Sequence, residues 1–363
     1  MFHEAPPLPH ALQLACRALD DASPQGLQPI TGNASFERTW PLTELRQEAS
    51  EHGLDLGFDP GLERFATFLV LRLCRQQLAR LPNIVAAARS FAAPVQGGRH
   101  NFYLTPNTFP NDVDTTSVAT AALFEAEIMG PSSVIRGAAE LHKALYLEQN
   151  VQATKYLPIP SNTGVAMVYW LDGTQLPIFF RRPQFDAAVA SNALYAAYLA
   201  GELGADTEPF DATWHYAEHH LTSGRYARGT LYYPSPDSFL CLFALLCARF
   251  PKRMTQAAAL ALQDAIAARS AATTTAPVLD PASALNRAQR IIAADALNQA
   301  AGLELVSGIA EMKQQLATLQ GSDHLWDVGA LYGYGPAPYF IGSRELTTVF
   351  AIAALSGSWA HEP

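Results

Sequence analysis

No run of about 18 apolar residues occurs anywhere in this 363-residue chain, so no membrane-spanning helix is expected. Positive charge is scarce. The 24 Lys and Arg are outnumbered by 33 Asp and Glu, leaving a net charge of −9. That balance argues against a nucleic-acid partner, which needs a basic patch. Charge of either sign is low, at 16% of residues against a typical quarter. The four cysteines, Cys16, Cys74, Cys241 and Cys247, form no CxxC pair. Two of them lie in the apolar run "FLCLFALLCARF", so buried free thiols are expected. The opening "MFHEAPPLPHAL" has neither a basic n-region nor an apolar h-region, so no signal peptide is expected and the expected location is cytoplasmic. Gly-rich phosphate loops, dinucleotide fingerprints and GxSxG elbows are also missing, which removes several large enzyme classes.

What is present is helical pattern. Hydrophobic residues make up 49% of the chain, enough for a large core or a deep apolar cavity. Apolar residues recur at three and four spacing over 62–80, 115–129, 136–149, 186–203, 211–222, 236–250, 254–270, 283–300, 304–319 and 344–356. Asp211, Ser235, Asp237, Ser238 and Asp280 are candidate helix starts, and Gly201, Gly204 and Gly130-Pro131 candidate ends. Strand signal is confined to "VAMVYWL" (165–171), "DG" and "QLPIFF" (175–180), which reads as a short hairpin. The periodicity predicts an all-α fold. Helix pairs without a strict 20–50-residue repeat fit an α/α toroid better than a solenoid. The expected organisation is a loosely structured segment over 1–35 and a single large toroid domain over 36–363.

The stretch "FPNDVDTTSVAT" (109–120) sets two carboxylates side by side at the start of an apolar helix. Three readings compete. Asp112 or Asp114 could simply cap the helix. The pair could hold a metal, but Mg²⁺ sites on diphosphates gather carboxylates from two places. Asp20-Asp21 offers no convincing second motif, so no metal site is expected. Or the pair could act as an acid. An enzyme that protonates an alkene or epoxide needs a carboxyl that is neutral beforehand, and both burial and a neighbouring carboxylate raise the pKa. In that division Asp112 stays ionised while Asp114 carries the proton, with Thr115 and Thr116 orienting the pair.

"DVDTTS" (112–117) resembles the Asp-x-Asp-Asp acid motif of class II terpene cyclases and squalene–hopene cyclases. It is similar to the Asp-x-Asp-Thr-Thr variant of some bacterial drimenyl- and diterpenyl-diphosphate cyclases. "DAAVASNALYAAYLAGEL" (186–203), "YYPSPDSFLCLFALL" (232–246) and "YFIGSRELTTVFAIAAL" (339–355) resemble later segments of the same repeat fold, in family order. The resemblance spans roughly residues 100–356. It implies Asp114 as proton donor, Asp112 as its support and Thr115 where the family usually has a further aspartate. It also implies carbocation cyclisation of a small hydrophobic, isoprenoid-like substrate. No cofactor is required in this reading, with Mg²⁺ entering only if the substrate carries a diphosphate. The chain is shorter than two-domain family members. The pocket could therefore sit in the toroid mouth, be completed by a homodimer partner, or take a smaller substrate.

Carbocations are stabilised by aromatic faces. Tyr103, Trp170, Tyr233, Trp326, Tyr334 and Tyr339 are candidates for a substrate pocket, with Asn192 beside them, and "GALYGYGPAPYF" (329–340) is the best loop to line it. Each aromatic could equally be core packing. Asp186 and Asn192 could be a cap and a satisfied buried amide. His215 and His219 in "WHYAEHH" have a zinc-compatible i, i+4 spacing but no third ligand, so a surface role is expected. Arg181, Arg182 and Arg344 could meet a diphosphate or lie on the surface. Two rivals to the cyclase reading stand: acid chemistry on a non-terpenoid substrate such as a polyketide, and a non-catalytic binding or scaffold protein. Wide exposure of both carboxylates would favour the scaffold.

Overall fold

The computed structural model describes residues 8–105, 109–147, 162–171, 182–273, 276–334 and 337–360. In chain order the helices are α1 (Leu8–Ala22), α2 (Leu45–Glu51), α3 (Phe65–Leu73), α4 (Pro82–Phe91), α5 (Val113–Glu125), α6 (Pro131–Lys143), α7 (Ala187–Glu202), α8 (Asp211–Thr222), α9 (Pro236–Arg249), α10 (Gln256–Ala271), α11 (Ala284–Ala301), α12 (Ile309–Ala317) and α13 (Arg344–Ser356). Six of these are buried nearly all round. Every residue of α3 is buried, as are the first eleven of α5 and the first fourteen of α7. A helix without a polar face must sit inside a layer of other helices. Here α3, α5, α7, α9, α11 and α13 each pack on the next, and α13 returns to α3 to close the ring.

The outer helices cover this ring. α1 lies on α13, α4 on α3, α6 on α5 and α7, α8 on α7, α10 on α11, and α12 on α11 and α13. The result is the expected α/α toroid. The starts of the six inner helices gather at one mouth, here called upper: Phe65, Asp112, Val189, Tyr233 and Ile341 lie around one cavity, and Ser235 bonds Asn286 across the starts of α9 and α11. Polar side chains start them. Asp112, Asp186, Ser235, Ser283 and Ser343 cap α5, α7, α9, α11 and α13 by accepting first-turn N–H bonds.

Several local expectations change. Residues 8–22, expected within a loosely structured segment, form α1, with Ala15, Cys16 and Leu19 fully buried. Gly130-Pro131 starts α6 rather than ending α5, with Pro131 in the first turn where its missing N–H costs nothing. Asp211 is the first residue of α8, and Ser283 rather than Asp280 caps α11. Residues 165–171 make isolated bridges, Ala166 to Leu145 and Tyr169 to Asp112, and no regular strand. The second half of the expected hairpin lies outside the described residues. A small antiparallel sheet forms elsewhere, from β1 (Ile30–Gly32), β2 (Thr39–Trp40), β3 (Tyr332–Gly333) and β4 (Phe340–Gly342), in the order β2-β1-β4-β3. Thr31 pairs with Trp40 and with Ile341, and Tyr332 with Ile341. The sheet sits over the upper mouth. All four cysteines are buried and free. Among the described residues no helix is long and apolar enough to cross a membrane.

Candidate active site

The two aspartates divide the roles that the sequence left open. Asp112 is the cap of α5: its extended backbone lets Oδ1 accept from Thr115 N at 2.6 Å. Its other oxygen, Oδ2, is buried and has no hydrogen-bond partner among the described residues. Asp114, one residue inside the helix, is no cap. Its Oδ1 accepts from Asn192 Nδ2 on α7 at 2.7 Å, and its Oδ2 from the Tyr233 hydroxyl at 2.5 Å. Asn192 is itself fixed by Arg72 of α3, whose Nη1 donates to Asn192 Oδ1 at 2.6 Å. Both carboxylates are nearly enclosed, Asp112 at 5% exposure and Asp114 at 9%. That enclosure disfavours the scaffold reading.

Burial dominates the electrostatics. It pushes the Asp112 carboxyl up to about 8, with the Thr115 N–H opposing and the Asp114 charge adding to the rise. It pushes Asp114 up to about 6, held back chiefly by the Tyr233 and Asn192 donors. Burial thus opposes the expected ionised state of Asp112. With one oxygen unpartnered, Asp112 holds a proton more tightly than Asp114. Asp114 is the stronger acid of the two because two donors wait for its anion. Nearby Glu63 is fully buried and pushed up to about 8 by the same cause, although its oxygens accept from Ala66 N at 3.0 and 3.2 Å.

Tyr233 is aimed at the acid by a tight loop. Gly229 has φ +69°, and a Cβ there would lie 2.2 Å from the Pro234 carbonyl oxygen, so only glycine permits the turn. Thr230 N donates to Tyr233 O at 2.7 Å across it. Asp186 ties the loop to α7: its Oδ1 caps the helix through Ala188 N, while Oδ2 accepts from Tyr232 N at 2.8 Å.

Both aspartates face a cavity of about 330 Å³ at the upper mouth. Its wall is built of rings. Phe102 and Tyr103 meet edge to face, Phe109 stands against Tyr103 and Tyr169, and Tyr332 against Phe65 and Tyr233. The Tyr103 and Tyr334 hydroxyls lie 2.9 Å apart. Such a wall offers π-faces and apolar surface around one acid edge. Among the described lining residues there is no Lys, Arg or His.

Of the expected substrate contacts, Tyr103, Tyr233 and Tyr334 line this cavity. Asn192 touches Asp114 from behind, and Thr115 is fully buried in the helix start. Three aromatics are corrected. Trp170 sits under the Arg99 guanidinium and donates Nε1 to Glu140 O at 3.1 Å. Trp326 is fully buried and donates to Leu316 O at 2.8 Å. Tyr339 packs edge-on against Trp40, beside Leu45 and Ala49. Arg344 pairs with Asp323 away from the cavity, Arg182 is exposed, and Arg181 lies outside the described residues. His215 and His219 are exposed on α8. Phe58, Phe65 and Phe109 line the cavity without having been singled out, because Phe58 and Phe109 lie in irregular chain and Phe65 in a largely apolar run. Arg72 was also missed. A lone arginine inside "FATFLVLRL" is the signal that could have found it, since a charge in a buried helix needs a polar partner.

No protein-family model matches the chain. A drimenol cyclase of Aspergillus calidoustus, drtB, is 27% identical over 256 residues, covering 70% of this chain and 40% of that protein. The chain thus matches less than half the length of that relative. Solved structures share the fold across nearly the whole chain. The type II terpene cyclase MstE from Scytonema aligns with a TM-score of 0.59 at 13% identity, covering 96% of this chain and 97% of that one. A variant of MstE in complex with its substrate, geranylgeranyl dihydroxybenzoate, aligns with a TM-score of 0.60 at 11% identity, over 97% of both chains. A protein from Actinoplanes aligns with a TM-score of 0.58 at 15% identity, over 97% of this chain and 99% of that one. The toroid is therefore the fold of type II terpene cyclases.

Proposed function

We propose that this chain is a protonation-initiated, class II cyclase acting on an isoprenoid-type substrate. The observation that carries the reading is Asp114, a buried carboxyl with two donors behind it, opening onto an aromatic-walled cavity. The similarity to a drimenol cyclase and the shared fold with MstE support it.

In this mechanism the protonated Asp114 delivers its proton to a terminal alkene carbon or an epoxide oxygen. The electron pair of that alkene, or of the breaking C–O bond, leaves a cationic carbon, which the next alkene attacks. The Tyr233 hydroxyl and Asn192 amide stabilise the aspartate anion as it forms. Protonated Asp112, beside it, adds no competing negative charge. The rings of Phe65, Phe102, Phe109, Tyr169 and Tyr332 face the moving cation while their packing excludes water. Loss of a proton or capture of water ends the reaction. Initiation uses no metal. Mg²⁺ enters this reading only where a substrate carries a diphosphate, and then as a partner of the diphosphate.

The test is incubation of the purified chain with farnesyl diphosphate, geranylgeranyl diphosphate and squalene, with and without Mg²⁺, followed by mass spectrometry beside Asp114→Asn. A cyclic product that disappears in the variant is the expected outcome. Linear substrate recovered intact in every case would overturn the isoprenoid reading.

A further inference from the structure

Behind the acid, away from the cavity, a second group sets how it behaves. We infer that Arg72 is a positioning residue that fixes the orientation of the Asn192 side-chain amide and thereby sets the acid strength of Asp114. The inference rests on the reading of Asp114 as the acid.

A primary amide has one acceptor end and one donor end, and either could face a carboxyl group. Arginine has donors only. Arg72 Nη1 at 2.6 Å from Asn192 Oδ1 therefore leaves a single arrangement, with the amino end toward Asp114. Arg72 is itself clamped. It is 4% exposed, and its guanidinium lies 3.9 Å from the centre of the Tyr195 ring, whose hydroxyl donates to Glu125 at 2.8 Å. Among the described residues no carboxylate lies within ion-pair distance of Arg72, so its strong donor is directed to a neutral amide. Turned the other way, the amide would offer an acceptor. An acceptor stabilises the protonated acid and weakens it, whereas a donor stabilises the anion and strengthens it.

The groups facing Asp114 are Asp112 on its own helix, Asp186 ahead of α7, Tyr233 ahead of α9, Tyr332 of β3 and Arg72 of α3. Arg72 also acts on Asp114 directly by charge, so the experiment must separate charge from orientation. The Asp114 carboxyl carbon is followed by ¹³C NMR across pH in protein carrying labelled aspartate, with Asp114→Asn assigning the signal. The series is wild type, Arg72→Met, Arg72→Lys, Asn192→Leu and the double variant Arg72→Met/Asn192→Leu. No turnover is needed, so a wrong choice of substrate, or failure of the cyclase reading, leaves the result readable.

The expected result is a rise of the Asp114 midpoint by about one unit or more in Arg72→Met. The same substitution made in Asn192→Leu should move it by much less, since no amide remains to turn. Arg72→Lys, which keeps charge and a donor, should fall between wild type and Arg72→Met. Equal shifts in both backgrounds would show a charge acting through space and would overturn the positioning role. So would an unmoved midpoint in Arg72→Met. If Arg72→Met does not fold, Arg72→Lys in the two backgrounds gives the same comparison, with a shift expected only where Asn192 is present.

Discussion

The two mouths of the toroid are made by opposite ends of the same six helices, and they treat charge differently. At the upper mouth Asp112, Asp114, Asp186 and Glu63 are buried, and burial raises the pKa of each. Helix N-termini favour anions, but by a modest amount that falls off within one turn. Desolvation by a wall of rings outweighs it. At the lower mouth Arg72 and Arg249 stand in the last turns of α3 and α9, where helix C-termini favour cations. Arg249 is partly exposed and paired to Glu202 through both terminal nitrogens. At the lower mouth Arg249 meets a carboxylate, while Arg72 directs its donor to the Asn192 amide. At the upper mouth charge is suppressed by burial, and a suppressed charge is what an acid requires.

That contrast can be broken at several points. The largest effect is expected at Asp114. Replacing it by Asn should lower turnover by about 10³-fold or more while circular dichroism stays unchanged, because the group removed is the proton source and its shape is kept. Next comes Tyr233→Phe, which deletes one of the two donors to Asp114. Turnover should fall about tenfold, with substrate affinity unchanged in steady-state kinetics. An unchanged rate would mean that the donor does not matter to the anion.

The third effect is on stability. Glu63, Asp112 and Asp114 have folded-state values of about 8, 8 and 6, above their ordinary values. The folded chain therefore binds more protons than the unfolded chain between about pH 4 and pH 8. Their contribution is fully present below the ordinary carboxylate range and is lost as pH rises through the folded values. Denaturation midpoints should thus fall from pH 5 to pH 8. Glu63→Gln should flatten that slope by up to ~1.4 kcal/mol per pH unit, one proton's worth. Smallest of all is Arg249→Met at the lower mouth. Its partly exposed pair with Glu202 should cost about 1 kcal/mol or less in urea titration, with no change in product.

The sequence revealed the inner ring better than its cover. α7 and α13 fall within one residue of their expected limits of 186–203 and 344–356, because periodic runs flanked by a capping side chain and glycine leave little freedom. α1, α2 and α4 were not expected. α1 follows a Pro-rich opening and α2 is only seven residues long. The sheet was invisible because strands of two and three residues cannot display a period of two. At the site, the aspartates could be read from "FPNDVDTTSVAT", but which of them holds its proton more tightly could not. That depends on Tyr233, Asn192 and Arg72, which only folding brings together. The tryptophans misled for a related reason. A large ring is as useful to the core as to a cavity, and Trp170 and Trp326 each satisfy their N–H on a backbone carbonyl away from the acid.

The pairing of Thr31 with Ile341 joins segments near opposite ends of the sequence. Together with the return of α13 to α3, it is the seam that closes the ring. Contacts of such long sequence separation form late and slowly, because a large loop must be closed before they are gained. Tyr332 and Ile341 belong both to this seam and to the cavity wall. A chain still emerging during synthesis would thus hold Asp112 and Asp114 for most of its growth without the lid that dries them, so the acid comes into being only with the last stitch of the fold.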